Sequence, residues 1–498
     1  MPASAQTRSP TSKPDAMSDS RTSCGWLWLL AEPRNSKACF CQSWTASKTF
    51  DATKTAPIVS VQRGSPAMLE QVNVFYEGWG ERWQWGTLVS TTALTGRPLI
   101  VFEYSNEARQ TGLELSSYTL PLEGDRLRRD FPDHQLYLPG PVYDSLPDGW
   151  GMLLMDRLFR RRGLTTARIG PLERLAYIGS SAMGAMSFEP VAPEGQESDV
   201  HIPLEQLAAD VKQVLHGNGG EFLQALLLVG GSPQGARPKA LVYRDPETGG
   251  FTTAATPGFE AWLIKFPAKE EHAEVCAIEM VYAECLRMCG IETPDTQYLN
   301  LPDGLAAFAS KRFDRRGGLR IPMQSLAAFT GANYQSPGVL DYVNFLRATQ
   351  MCTNDVREMA RAFERAVFNV AFNNRDDHPK NFAYIMSQDG QWRLSPAYDV
   401  TFCEGPSGYH QMDVMGEALE ISRAQMLRLA EEAEMSPDAA TGVIDGMCDV
   451  ASRFTAIAEN LCPQVITLDT LRMIQSRIDQ NVARLHHSQA DGGHGRFS

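Results

Sequence analysis

The chain lacks any apolar run long enough to cross a membrane, which requires roughly 18 or more residues. The one targeting candidate is the octet CGWLWLLA, Cys24–Ala31, which has the character of a short signal-peptide core. Aspartates precede this octet, and no clean small-residue cleavage site follows it. We therefore expect neither a membrane span nor a signal peptide, and we predict a cytoplasmic protein.

Basic charge is also scarce. The 498 residues include 46 Lys and Arg against 59 Asp and Glu, which gives a net charge of −13. A protein of this sign is repelled by the phosphates of nucleic acids. We therefore expect the chain to contact DNA only indirectly, through a partner.

Paired cysteines are missing as well. The ten cysteines stand at irregular spacings, without the C-x-x-C pairs that are typical of zinc sites. The pattern predicts neither a zinc site nor a disulfide framework, and it suits the reducing cytosol.

The chain is long enough to bury more than one hydrophobic core. Folded-looking sequence begins near Met68, after a Ser/Thr/Ala/Lys-rich leader whose composition is typical of disorder. From Val72, short alternating segments predict a small β-rich module. A polar linker at Val191–Pro203 separates this module from a later strand pair and a long, mostly helical second half.

One stretch, NNRDDHPKN at 373–381, concentrates aspartates, asparagines, a histidine and a lysine between apolar segments. Before it, apolar residues recur at helical spacing, so a buried helix is expected to lead into this loop. After it, two strand-like segments flank the turn signature Ser387–Gly390, and Asp399 follows the predicted hairpin. The predicted order is helix, polar loop, hairpin and aspartate.

This order suits phosphoryl transfer from ATP. The reaction needs a carboxylate to accept a hydroxyl proton and oxygen ligands from separate segments to hold Mg²⁺. Asp376 and Asn381 have the spacing of the Asp and Asn of a kinase catalytic loop, and Asp399 falls where a second metal-binding aspartate would. The alternative is a polar capping loop whose Asp and Asn side chains make only local turn bonds.

Two earlier segments have the features of a phosphate-binding site. In VGGSPQGARPKALVYR at 229–244, glycines allow backbone N–H groups to approach a phosphate, and Arg237 and Lys239 add positive charge. In AWLIKFP, Lys265 ends a predicted strand, and Glu279 on the next amphipathic stretch is placed to pair with it. Taken alone, the glycines also fit an ordinary hairpin loop and the lysine a solvated strand end.

The order of these parts resembles that of the HipA-type serine/threonine kinases, the toxins of bacterial type II toxin–antitoxin pairs. The stretches that carry the resemblance are LPDGWG at 146–151, MGAMSFEP at 183–190, GGSPQGARPKA at 230–240, IKFP at 264–267, RFDR at 312–315, DDHPKN at 376–381 and PAYDV at 396–400. They occur in one order along the chain, which makes coincidence an unsatisfactory explanation.

The resemblance implies a role for each matching residue. Asp376 matches the catalytic base, Asn381 and Asp399 match the Mg²⁺ ligands, Ser232 matches an autophosphorylation site, and Glu279 matches the ion-pair partner of the strand lysine. The positions that match nucleotide-binding residues are Gln234, Gly235, Ala236, Arg237, Pro238, Lys239, Lys265, Lys311, Arg312, Phe313, His378, Lys380 and Tyr398. ATP and Mg²⁺ are therefore the expected cofactors.

The resemblance also implies an α+β, two-lobed, protein-kinase-like fold. We expect a β-rich N-terminal lobe with an extra small β module, and a mostly α-helical C-terminal lobe. The expected divisions are a disordered leader or misassigned start at 1–67, a β-rich module at 68–190, a nucleotide-binding lobe with the Gly-rich loop at 191–310, a helical catalytic lobe at 311–487 and a disordered tail at 488–498.

Members of this family are commonly neutralised by a HipB-like helix-turn-helix antitoxin, so the resemblance implies such a partner here. It also implies a protein substrate, for which an aminoacyl-tRNA synthetase is one candidate. Two alternatives remain, namely a catalytically silent pseudokinase that acts as a binding module, and a small-molecule phosphotransferase. The intact Asp376, Asn381, Asp399 and Lys265 favour an active kinase, and the GGSPQGARPK loop disfavours the small-molecule enzyme.

Overall fold

The computed structural model describes residues 69–92, 98–165, 169–190, 202–218, 226 and 235–486. The strands within these ranges are β1 (Gln71–Tyr76), β2 (Trp83–Thr92), β3 (Pro98–Tyr104), β4 (Leu127–Arg128), β5 (Met186–Glu189), β6 (Lys239–Arg244), β7 (Phe251–Thr252), β8 (Glu260–Lys265), β9 (Thr296–Asn300), β10 (Ala306–Lys311), β11 (Arg315–Arg316), β12 (Leu319–Arg320), β13 (Met323–Ser325), β14 (Ala383–Met386) and β15 (Trp392–Leu394).

The α-helices of the same ranges are α1 (Asn106–Thr111), α2 (Gly140–Tyr143), α3 (Gly149–Arg161), α4 (Pro171–Ile178), α5 (Leu204–Leu215), α6 (Glu274–Met288), α7 (Leu326–Thr330), α8 (Tyr342–Thr353), α9 (Val356–Ala371), α10 (Arg423–Glu432), α11 (Pro437–Ala451), α12 (Phe454–Leu461) and α13 (Leu468–His486). No helix in the described part of the chain has both the length and the apolar character needed to cross a membrane.

The amino-terminal sheet has five strands in the order β4-β3-β2-β1-β5, and every neighbouring pair is antiparallel. Val72, Val74 and Tyr76 alternate with more exposed residues along β1, as expected of a strand with one face against a core. Trp85 and Phe102 extend that face, with their ring centroids 5.0 Å apart. Helices α3 and α4 contribute buried residues to the same core.

The second sheet has the order β7-β6-β8-β10-β9, with β8 at its centre. Strands β6 and β8 are antiparallel, and their register sets Lys239 opposite Lys265. Helix α6 packs against β9 and β10 and carries Glu279 among its buried residues. Strand pairing and helix packing therefore bring charged groups from three segments to one end of this sheet.

The carboxyl-terminal half is mostly helical, and α8 to α13 share one hydrophobic core. Helix α9 is a central member because Phe363, Ala366 and Val367 are fully buried at the spacing of an amphipathic helix. Asp355 caps its first turn through its side chain. The helix ends at Ala371, directly before the polar loop, as the sequence predicts.

A buried cluster of charges connects the amino-terminal module to the rest of the chain. Asp314 is 1% exposed and accepts hydrogen bonds from Arg312 at 2.8 and 2.7 Å and from Arg315 at 2.8 Å. The backbone N–H of Gly184, in the amino-terminal module, donates to the same carboxylate at 2.8 Å. Burial alone would raise the pKa of Asp314, but the two arginines hold it well below its usual value.

These elements confirm the predicted α+β fold class, with a β-rich amino-terminal lobe, an additional small β module and a mostly helical carboxyl-terminal lobe. The predicted hairpin is present as β14 and β15, with Gly390 N donating to Ser387 O at 3.1 Å in the turn. Gly390 has φ of +80°, a conformation that glycine adopts without strain.

Candidate active site

Buried asparagines hold the polar loop that follows α9. Asn373 donates from Nδ2 to the carbonyl of Cys403 at 3.0 Å, and Asn374 donates to Asn369 Oδ1 at 2.8 Å. Asn373 has φ of +55°, a left-handed conformation that asparagine tolerates better than most residues. These bonds fix the backbone that presents Asp376.

Asp376 is partly exposed on this loop. Its Oδ1 accepts a hydrogen bond from Gln411 Nε2 at 2.8 Å and lies 3.7 Å from His378 Nε2, and its carbonyl accepts from Asn381 Nδ2 at 2.7 Å. Burial raises the pKa of Asp376, as does repulsion from Asp399, although His378 acts in the opposite direction. A partly exposed carboxylate with a raised pKa is suited to accept a proton.

The adjacent Asp377 is fully buried and has a supporting role. Its Oδ2 accepts from the Tyr342 hydroxyl at 2.7 Å and lies 2.8 Å from His410 Nδ1, and its Oδ1 accepts from Gln411 N at 2.7 Å. His410 and Gln411 are not predictable from the sequence, because no local spacing connects them with the distant loop. Of the two aspartates in the motif, Asp376 is therefore the one available for chemistry.

A buried lysine bridges two carboxylates near this loop. Lys265 Nζ lies 2.5 Å from Glu279 Oε1 and 2.5 Å from Asp399 Oδ1. Burial alone would lower the pKa of Lys265, but the two carboxylates raise it above its usual value. Burial likewise opposes ionisation of Asp399, but Lys265 and Lys239 hold its pKa below the usual value. The structure thus brings Lys265 together with Glu279 and adds Asp399 to the pair.

The described end of the Gly-rich loop runs from Gly235 to Lys239. Arg237 Nη2 lies 3.0 Å from Glu271 Oε1, and its Nη1 lies 3.7 Å from Glu279 Oε2. The carbonyl of Pro238 accepts from Phe266 N at 2.9 Å, Ala236 is exposed, and Lys239 is buried. Burial lowers the pKa of Lys239, and Lys265 adds to that effect. Ser232 and Gln234, the other two residues predicted in this loop, lie outside the described residues.

Lys380, one of the predicted nucleotide-binding residues, is buried beside an aspartate and two tyrosines. Its side chain is 4% exposed, and its Nζ lies 3.3 Å from Asp148 Oδ2. The same Nζ lies 4.7 Å from the ring centroid of Tyr143 and 4.4 Å from that of Tyr334. Burial would lower the pKa of Lys380, but Asp148 and the tyrosines raise it. The ammonium group therefore already has an anionic partner, in the amino-terminal module.

Lys311–Phe313, three of the predicted nucleotide-binding positions, are only partly open to a ligand through their side chains. Lys311 Nζ donates to Glu260 at 2.7 Å, and the Arg312 guanidinium is held by its neighbouring aspartate. Phe313 and Tyr398 form an aromatic pair with centroids 5.4 Å apart, and the Tyr398 hydroxyl donates to the backbone of the polar loop at 2.7 Å. The aromatic pair is the part of this region with surfaces suited to a flat base.

Asn381 and Asp399 provide the donor atoms that Mg²⁺ prefers. Because Asn381 Nδ2 donates to the Asp376 carbonyl, the amide oxygen of Asn381 is the atom suited to a metal. Within the described ranges no group of three or more His, Cys, Asp or Glu side chains is arranged to hold a metal ion. Mg²⁺ bound with a nucleotide does not need such a group, since one or two carboxylates and the phosphates complete its shell. The donor set therefore fits Mg-ATP.

Similarity to known proteins extends over both lobes. The model of the HipA N-terminal domain matches residues 81–189, and that of the HipA-like C-terminal domain matches residues 231–454. A curated relative, "Putative kinase Y4dM" of Sinorhizobium fredii (strain NBRC 101917 / NGR234), is 28% identical over 235 residues, which is 43% of this chain. The match spans 56% of the length of that relative.

Among solved structures, the chain is similar to one in the complex of HipA, HipB and operator DNA from the toxin–antitoxin system of Shewanella oneidensis MR-1. The TM-score is 0.58 at 18% identity, over 82% of this chain and 96% of the other. The proinflammatory kinase CtkA of Helicobacter pylori gives a TM-score of 0.32 at 12% identity, over 45% of this chain and 88% of the other. With family matches on both sides of the linker that together span more than half of the residues, the chain belongs to the HipA family.

Proposed function

We propose that this chain is a Mg-ATP-dependent serine/threonine protein kinase that acts as a HipA-like toxin. The observation that carries the proposal is the geometry of two aspartates: Asp376 is partly exposed and is held by Gln411 at 2.8 Å, whereas Asp399 lies 2.5 Å from the buried Lys265. Their pKa values shift in opposite directions, up for Asp376 and down for Asp399. A raised pKa suits a proton acceptor, and a lowered one suits a permanently ionised ligand of a cation. The family match and the relative named as a putative kinase support the same reaction class.

In the proposed reaction, Asp376 accepts the proton of a serine or threonine hydroxyl. The hydroxyl oxygen forms a bond to the γ-phosphorus as the bond from that phosphorus to the departing ADP oxygen breaks. Gln411 and Asn381 orient the base through hydrogen bonds of 2.8 and 2.7 Å. Lys265, from the end of the second sheet, offsets the charge on the phosphate oxygens.

Asn381 and Asp399 would hold Mg²⁺, which when bound neutralises charge on the β- and γ-phosphates. The lowered pKa of Asp399 keeps this carboxylate ionised at neutral pH. Lys265, at 2.5 Å, also fixes where the carboxylate lies. Glu279 also binds this lysine. Asp399, the proposed metal ligand, is therefore held by Lys265, which is itself held by Glu279.

We further propose a HipB-like helix-turn-helix antitoxin as the partner, in the cytoplasm. The similar Shewanella structure contains HipB and operator DNA as well as HipA. The net charge of −13 disfavours direct binding to DNA by this chain, so DNA contact would run through the partner. The substrate would be a cellular protein, with an aminoacyl-tRNA synthetase as the first candidate to test.

Autophosphorylation of Ser232 is the proposed off-switch. A phosphate there would add about −1.5 to −2 charges to the loop that precedes Gly235. Repulsion between this group and the phosphates of ATP should then weaken nucleotide binding. Equal affinity of Ser232→Asp and the parent chain for Mg-ATP would contradict this part of the proposal.

Mass spectrometry of the full chain after incubation with Mg-ATP tests the activity, with Asp376→Gln as the control. We expect phosphate on Ser232 of the parent and none on the control. Binding of ATP without phosphate on the chain or on any added protein would instead favour the silent pseudokinase. Transfer of phosphate to a small alcohol, but to no protein, would favour the small-molecule phosphotransferase.

A further inference from the structure

We infer that Asp148 and Trp150 position the Gly-rich loop for the phosphates of ATP. Asp148 binds the backbone N–H of Gly235, and Trp150 binds its carbonyl. The inference rests on the proposed ATP-binding function and deepens it. It concerns the motif LPDGWG at 146–151, to which the proposed reaction assigns no role. We call Asp148–Trp150 the loop-docking turn.

Asp148 stands where a helix cap is expected, but it does not cap its own helix. It is the N-cap residue of α3, where an aspartate normally accepts a hydrogen bond from an N–H of the first turn. Its side chain makes no such bond. The carboxylate instead accepts from Gly235 N, from the Tyr334 hydroxyl at 3.1 Å and from Lys380 at 3.3 Å. Asp148 therefore binds three groups that are distant in sequence instead of capping its own helix.

Gly235 provides the hydrogen-bond partner that the first turn of α3 would otherwise lack. Its N–H donates to Asp148 Oδ1, and its carbonyl accepts from Trp150 N at 3.1 Å. The N–H groups of a first helical turn have no acceptor within the helix, so the Trp150 donor is free for this contact. The pattern is reciprocal, like a capping box, but it joins the amino-terminal module to the nucleotide-binding lobe.

The approach between the two segments leaves no room for a side chain at Gly149. A Cβ there would lie 2.6 Å from the carbonyl oxygen of Gly235 and 2.7 Å from the Cα of Ala236. Gly149 also has φ of +36°, which favours glycine. The glycine of the motif is therefore required by the contact with the loop, and not only by the start of the helix.

The same carboxylate reaches the catalytic loop through Lys380, the residue before the proposed metal ligand Asn381. Asp148 thus connects the loop that would hold the phosphates with the loop that would hold the metal. It acts through Gly235 and Lys380 rather than on the nucleotide, so it is a positioning residue. Its loss should weaken binding of the phosphates more than binding of the adenosine part.

Equilibrium binding to the full chain, measured separately for Mg-ATP and for adenosine, tests this inference. We expect Asp148→Ala to raise the Kd for Mg-ATP about tenfold or more, since a hydrogen bond to a charged group is lost. The Kd for adenosine should change by less than about twofold, an effect within the weak range of a distant substitution. Asp148→Asn should lie between parent and Asp148→Ala, because its amide oxygen can still accept from Gly235 N.

Asp156→Ala is the matched control. Asp156 also lies on α3 and pairs with a cation, Arg174, at 2.7 Å, but it has no hydrogen bond or ion pair with the described end of the Gly-rich loop, Gly235–Lys239. The Asp156→Ala variant should bind Mg-ATP and adenosine as the parent does. Thermal unfolding should show that each variant is folded. If Asp148→Ala does not fold, Asp148→Asn carries the test.

An equal loss of ATP and adenosine, no loss of either, or an Asn variant no better than the Ala variant would each overturn the role of the loop-docking turn. Should the Ala variant not fold, an Asn variant that binds Mg-ATP like the parent would also overturn it. Failure of the parent chain to bind Mg-ATP is a different result. It would overturn the proposed function, and this inference with it.

Discussion

Asp376 and Asp399 lie close enough to interact, but the effects that dominate their surroundings are opposite. Cations dominate around Asp399, where Lys265 lies at 2.5 Å and Lys239 adds a second positive charge. Around Asp376, burial is the main reason that the pKa is raised, and repulsion from Asp399 and Asp377 adds to it, whereas His378 and Arg237 act in the opposite direction. One aspartate is therefore stabilised as an anion, whereas the other binds a proton more readily.

This difference follows from the elements that deliver each residue. The antiparallel register of β6 and β8 sets Lys239 opposite Lys265, so cations accumulate at the end of the second sheet. The loop after α9 delivers adjacent aspartates instead. Aspartate can thus serve both to hold a metal and to accept a proton, because the backbone places Asp399 and Asp376 in different electrostatic environments.

The strongest way to test this assignment is Asp376→Asn. Loss of the proton acceptor should lower phosphoryl transfer by about 10²- to 10⁴-fold, the range of general-base catalysis. The Kd for Mg-ATP should stay close to that of the parent, because Asp399 and the lysines around it are unchanged. Initial rates of phosphate transfer and equilibrium binding provide the two measurements.

Asp389→Asn is the control for this variant, since Asp389 lies on the exposed turn between β14 and β15. It should behave as the parent does. A large loss of ATP affinity in Asp376→Asn would contradict the division of tasks, because it would place Asp376 among the groups that bind the nucleotide.

Asp399→Asn should have the next largest effect. Removing one fixed charge from a preorganised site typically costs about 10²- to 10³-fold in rate. We also expect Mg²⁺ to lose most of its effect on ATP affinity, which can be measured with Mg²⁺ and with a chelator. An undiminished effect of Mg²⁺ in this variant would show that Asp399 is not a metal ligand.

Several parts of this site could be predicted from the sequence because they depend on local periodicity and spacing. The apolar repeat of α9 predicts where the polar loop begins, and the interval from Asp376 to Asn381 predicts which side chains it presents. The pair of Lys265 and Glu279 was predictable for a similar reason, since a strand and the amphipathic helix that follows it are commonly adjacent in space. The fold class was predicted differently, from the resemblance to the HipA-type kinases.

The remaining contacts join segments that are far apart in sequence, and no local pattern predicts them. The sequence predicts Lys380 as a nucleotide-binding residue, yet its partner is Asp148, from the amino-terminal module. Arg312 belongs to another predicted nucleotide-binding segment, and its guanidinium is bound by Asp314, two residues along the chain. The distant contact there is the one that Asp314 accepts from Gly184 N of the amino-terminal module, so in both cases the surroundings of a buried cation depend on the tertiary fold.

Substitutions of Gln411 test the surroundings of Asp376 more finely, and we expect a smaller effect than from the two aspartate substitutions. Gln411→Leu removes the 2.8 Å hydrogen bond to Asp376 Oδ1 but keeps the backbone N–H that donates to Asp377. Loss of one hydrogen bond to a charged group should lower kcat about tenfold. KM for ATP should not change, because no group near Asp399 is altered.

A second substitution at the same position separates orientation from simple packing. Gln411→Glu has nearly the same size, but it places a carboxylate beside Asp376 and should lower kcat further than Gln411→Leu. Gln391→Leu, at an exposed position before β15, is the control and should have no effect. If Gln411→Glu were as active as the parent, the side chain at 411 would not orient the base, and the fixed geometry of Asp376 would have to come from the loop backbone alone.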